Sequence, residues 1–97
     1  MDNVEAGAIL DDLLSRLRSL PYAELVQRYL DETESFEQDG ASGVTYQLEV
    51  QAFWDSPRAP GRDLRVMASI DDGSFWRSIS PLSRSFIMAP DGQFVGE

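Results

Sequence analysis

A chain of 97 residues with a net charge of −9 and no cysteine, histidine or lysine is expected to fold as a single domain, 1–97, around one hydrophobic core without disulfides. The missing imidazole, thiol and amine groups are the usual nucleophiles, bases and soft-metal ligands near neutral pH, so most enzyme mechanisms are excluded and no metal or cofactor is expected. Seventeen carboxylates against eight arginines likewise exclude general binding to nucleic acid or to an anionic membrane, and they favour a basic protein partner or simple solubility.

The first segment carries Ile9, Leu10, Leu13, Leu14, Leu17 and Leu20 at three- and four-residue steps, which predicts an amphipathic helix. Asp2 and Glu5 form a capping-box-like start, Asp12 and Arg16 an i,i+4 pair, and Pro21 disfavours helical geometry at Leu20. Pro21 then suits the first turn of a second helix, with Tyr22, Leu25, Val26, Tyr29 and Leu30 on its apolar side and a Glu24–Arg28 pair opposite. The helical part is expected to occupy 1–33, followed by a polar loop over 34–43.

From Val44 the hydrophobic period changes from 3.6 to 2, so the sheet is expected over 44–97. Val44, Tyr46, Leu48, Val50, Ala52 and Trp54 alternate with Thr45, Gln47, Glu49, Gln51 and Phe53 in one long strand. A Pro- and Gly-rich loop over 55–62 leads to a second strand, 63–71, with Leu64, Val66, Ala68 and Ile70 on one side and Arg65, Met67 and Ser69 on the other. Asp71–Ser74 reads as a hairpin turn into a third strand, Phe75–Ile79, in either of two registers. A two-residue turn at Asp72–Gly73 sets Ile70 opposite Phe75, with Trp76 on the outer face; a turn at Asp71–Asp72 with Gly73 as a bulge moves Trp76 inward and Arg77 outward. Residues 80–83 turn the chain again. Ala89–Gln93 then makes a last hairpin with a left-handed Gly92, pairing Met88 with Phe94 and Ile87 with Val95.

The fold class this predicts is α+β: two N-terminal amphipathic helices packed on one face of an antiparallel meander of four to five strands. Glu49 is the best single acid/base candidate, in mid-strand on the polar face, but no second carboxylate can be placed beside it for a carboxylate-based enzyme. Asp71–Ser74 lacks the spacing of a calcium loop, and Gly40–Gly43 lacks the Gly-Lys-Ser/Thr ending of a phosphate loop. More telling is the outer sheet face, where Phe53, Met67 and, in the first of the two registers, Trp76 sit among Glu49, Gln51 and Arg65. Aromatic, Met and Arg side chains in a polar frame are the composition of a protein interface.

The expectation is a small non-catalytic interaction or regulatory module that binds a protein partner or itself. Helices followed by a sheet at acidic pI resemble small bacterial secretion chaperones and toxin-immunity proteins, a likeness that implies an acidic carrier or inhibitor of a basic protein. Met1 is followed by Asp2, Asn3 and Glu5 rather than by a basic and then apolar signal pattern, and no apolar run approaches the roughly 20 residues of a membrane span, so a cytoplasmic location is expected.

Overall fold

Asp2 starts the first helix. Its carboxylate accepts from the Val4 and Glu5 backbone amides at 3.0 and 3.1 Å, satisfying donors that a helix N-terminus otherwise leaves open. The computed structural model describes residues 2–73 and 82–97, and in it helix α1 runs Asn3–Arg18 and helix α2 Tyr22–Tyr29. Arg16 and Arg18 occupy the last turn of α1, where cations favour the helix dipole. Ala6, Gly7, Leu10, Leu13 and Leu17 are its buried residues, while Ile9, Leu14 and Leu20 pack at the edge of the core. Pro21 stands one position earlier than expected, as the N-cap of α2.

Strands β1 (Glu34–Asp39), β2 (Thr45–Trp54), β3 (Leu64–Asp71) and β4 (Leu82–Met88) form one antiparallel sheet in the order β1-β2-β3-β4. The sheet therefore begins at Glu34 rather than at Val44. The segment 34–39 was expected as a loop because Phe36 is its only apolar residue. It extends because its backbone pairs along the whole of 45–50, with Glu34, Phe36 and Gln38 half-buried and Ser35, Glu37 and Asp39 exposed. Val44 lies in the β1–β2 turn and is exposed instead of joining the core. That turn closes through Gly40 N–H to Val44 O at 2.8 Å, with Gly43 in the left-handed region at φ 90°.

Even-numbered residues of β2 and β3, from Tyr46 to Ala52 and from Leu64 to Ile70, are buried. They form the core with Phe86 and Met88 of β4 and with the two helices. Helix α1 lies on β3 and β4, and α2 on β2 and β3. Ile70 pairs with Leu82 and Ala68 with Arg84, so the register that sets Ile70 opposite Phe75 and the bulged one that moves Trp76 inward are both replaced, and Leu82 and Ser83 belong to a strand rather than a turn. The apolar alternation of Leu82, Phe86 and Met88 matches the inner face of β3, and Gly73 N–H donates to the Asp71 carboxylate at 2.8 Å. The expected strand 75–79, with Trp76 and Arg77, lies outside the described residues.

The last hairpin forms as the sequence predicts. Met88 bridges Phe94, Val95 N–H donates to Ile87 O at 2.9 Å, and Gly92 has φ 88°. This return is a single bridge, so the described strands number four. It is held against α1 by Arg18, whose guanidinium lies 4.0 Å from the Phe94 ring centroid and donates to Glu97. Nothing lies within 4 Å of a Cβ built at Gly92, so Gly92→Val loses stability chiefly through backbone strain at its positive φ. The expected loss exceeds about 1 kcal/mol in urea unfolding, with a much smaller effect at exposed Gln93.

Candidate functional site

The strand period that buries one face of the sheet leaves the other without a helix among the described residues. Odd-numbered residues of β2 to β4 line this outer face, and cross-strand pairing fixes their neighbours. Phe53 stands opposite Arg65, and Arg65 opposite Ile87. Val95, joined to Ile87 through the last hairpin, extends this row. The adjacent row is Gln51, Met67 and Ser85, and the next is Ser35, Glu49, Ser69 and Ser83. Met67 is thus diagonal to both Phe53 and Ile87, and these three with Val95 make an apolar corner. Phe53 and Val95 are exposed at 38% and 39%, while Met67 and Ile87 are half-buried.

Of the side chains expected on this face, Phe53, Met67, Glu49, Gln51 and Arg65 lie on it, and Trp76 lies outside the described residues. Arg65 is held in place: its Nε and Nη2 donate to Asp55 at 3.1 and 3.0 Å, and its Nη1 to the Ser85 hydroxyl at 3.2 Å. Gln51 accepts from the Thr33 hydroxyl at 3.4 Å. Glu49 sits on this face with serines directly across on both sides, and the nearest carboxylates in the register are Glu37 and Asp71, one on each diagonal. Ile87 and Val95 were not foreseen as part of the face. Their alternation with Phe86, Met88 and Phe94 carried the signal, but it needed the β3–β4 register to be read.

Charge is distributed unevenly. Arg16, Arg18, Arg28, Arg65 and Arg84 are each paired with a carboxylate of the same chain, namely Asp12, Glu97, Glu34, Asp55 and Asp11. Arg28 takes Glu34 in two hydrogen bonds of 3.1 and 3.0 Å in place of the expected Glu24. The two oxygens of Glu34 match the planar guanidinium fork, which a single-turn helical pair does not offer as well. Most of the positive charge is thereby neutralised internally, and carboxylates such as Glu37 and Glu49 set the sign of the open surface.

A second polar cluster ties the β1–β2 turn to α1. Glu5 does not reach back to complete the expected capping box. Its carboxylate accepts instead from the Ser42 hydroxyl at 2.6 Å, the Tyr46 hydroxyl at 2.7 Å and the Ser42 amide at 3.1 Å. Glycine is required at position 40 because a Cβ there would come within 2.9 Å of the Tyr46 ring and drive into the Glu5 carboxylate. The Ser42 and Tyr46 hydroxyls hold the Glu5 carboxyl below its usual range, while the hydrogen bond to Glu5, reinforced by desolvation, pushes the Tyr46 phenol up to about 12. Because the Glu5 pKa is depressed on folding, its contribution is full above the ordinary carboxyl value of 4.5 and lost as pH falls through the folded value. That of Tyr46, whose pKa is raised, is full below 10 and lost between 10 and about 12. Thermal melts should therefore fall at both extremes, and Glu5→Gln should flatten the acid limb. An unchanged acid limb in that variant would remove Glu5 from the account.

Between α1, α2 and β1 an open cavity of about 350 Å³ has walls of Leu17, Leu20, Tyr29 and Phe36, with the Arg28–Glu34 pair closed across it. Among the described residues, no three Asp or Glu side chains gather as a metal site would need, and no helix is long and apolar enough to cross a membrane. No protein-family model matches the chain, and no curated protein and no solved structure matches it either.

Proposed function

We propose that this chain is a non-catalytic protein-interaction module that makes its contact through the outer sheet face. The observation that carries this reading is the group of Phe53, Met67, Ile87 and Val95 around the Asp55-paired Arg65, left without a covering element among the described residues and bordered by Gln51 and Glu49. Apolar side chains within a polar rim are the anatomy of an interface core, and Met and Arg are among the side chains enriched there. Arg65 is already oriented by Asp55 and Ser85, so little rotamer freedom remains to be lost when a partner arrives. The absence of His, Cys and Lys from the sequence removes the commonest catalytic groups, which also favours a binding role.

A photo-crosslinking residue placed at Phe53 is expected to trap a partner chain in cells. The same residue at exposed Ala23 on α2 should trap none. Equal labelling from the two positions would count against the sheet face as the contact.

A further inference from the structure

The outer face is not uniform, and its asymmetry describes what would cover it. Its apolar corner occupies the end of the sheet nearest the 55–63 loop. The opposite end, toward the β1–β2 turn, carries Glu37 and Glu49, which lie diagonal to each other across the β1–β2 pair. Glu49 is in turn diagonal to Met67. The only basic group on this face among the described residues is Arg65, and Asp55 neutralises it. A second copy of the chain would bring another −9 to the same surface, and like charge disfavours that approach.

We infer that the occupant of the face is a cationic amphipathic segment of another protein, with its apolar side on Phe53, Met67 and Ile87 and its Lys or Arg side chains on Glu49 and Glu37. This rests on the face being the contact surface, and it adds the chemistry of the partner. The apolar corner supplies the desolvated centre, and the carboxylates at the rim supply register and a faster encounter. Neither part suffices alone. Surface carboxylates by themselves attract any polycation weakly, and four apolar side chains by themselves do not choose a partner.

The test uses a synthetic amphipathic helix of leucine and lysine as probe, with a serine–lysine peptide of equal charge and a leucine–glutamate peptide as controls, in titrations at 0.15 M salt. The leucine–lysine peptide should bind at least about 10-fold more tightly than either control. The double variant Glu37→Gln/Glu49→Gln should weaken that binding about 5- to 30-fold, as expected for two interfacial ion pairs. The double variant Glu24→Gln/Glu32→Gln removes the same charge from the exposed helical side and should change binding less than about 2-fold, because screening confines the field to about 8 Å. Equal losses from the two double variants, or equal binding of the serine–lysine peptide, would overturn the inference by reducing it to net charge. Sedimentation separates the remaining cases. A wild-type dimer that binds no leucine–lysine peptide and is split by Met67→Glu would make the occupant a second copy, overturning the inference while keeping the face as the contact. A monomer that binds no peptide would remove both.

Discussion

Leu48→Ala is expected to destabilise the protein by about 2–5 kcal/mol, which for a domain of this size lowers Tm by about 10 °C or more. Leu48 is fully buried at the centre of β2, between Phe36 on β1 and Ile70 on β3. Removing its isobutyl group loses the transfer free energy of the atoms and leaves a cavity that paired strands collapse into poorly. Leu10→Ala, on the α1 side of the same core and equally buried, should lose stability in the same range. Gln47→Ala, one residue away on the exposed face, should stay within about 0.5 kcal/mol. Urea unfolding measures all three. A loss below about half a kcal/mol at Leu48 would mean that the even-numbered face of β2 is not the core.

Met67→Glu is expected to weaken binding of the leucine–lysine peptide by about 30-fold or more, the scale of an interface hot spot, while leaving the fold intact. Met67 sits diagonal to Phe53 and Ile87, so a carboxylate placed there must be desolvated in the middle of the contact. The sign of the effect separates two explanations. The substitution adds a negative charge, so attraction governed by charge alone would become stronger; attraction organised around the apolar corner becomes weaker. Thermal melting of the variant reports whether the fold survives, and Met67→Leu, which keeps the apolar surface, should retain binding. Unfolding of Met67→Glu would place Met67 in a second buried layer rather than on a contact surface.

The helices were legible because their apolar spacing and flanking residues agree: Asp2 opens α1, Pro21 precedes α2, and the leucines between them repeat at helical steps. Strands β2 and β3 were legible from alternation alone. β1 was not, since a strand whose only apolar residue is Phe36 shows no period, and its extension depends on pairing with β2 that no local signal encodes. The β3–β4 register failed for the opposite reason. Asp71–Ser74 is a strong turn sequence, but the apolar match of Leu82, Phe86 and Met88 to the inner face of β3 determines the partner of Ile70. Turn chemistry did decide the last hairpin, where Gly92 adopts its left-handed conformation.

Legibility of the candidate face follows from the same causes. Glu49, Gln51, Phe53, Arg65 and Met67 all lie on strands whose alternation is unbroken, so their common side was fixed by parity. Ile87 and Val95 join them only through long-range register. Side-chain pairings were less readable than backbone structure. Glu5 bonds residues of the β1–β2 turn rather than its own helix start, and Arg28 turns to Glu34 in the strand that the sequence concealed. Each of these partners is brought near by the sheet, beyond the reach of helical spacing rules.

The central claim, that the outer sheet face is the contact surface, is tested most directly by methyl-resolved NMR during titration with the leucine–lysine peptide. The Met67, Ile87 and Val95 methyl resonances should shift or broaden together at the lowest peptide ratios. Val4, the most exposed apolar side chain of α1 at 85%, and Val26 of α2 should stay unchanged. Perturbation of Val4 and Val26 with Met67 and Ile87 silent would contradict the account and move the contact to the helical side.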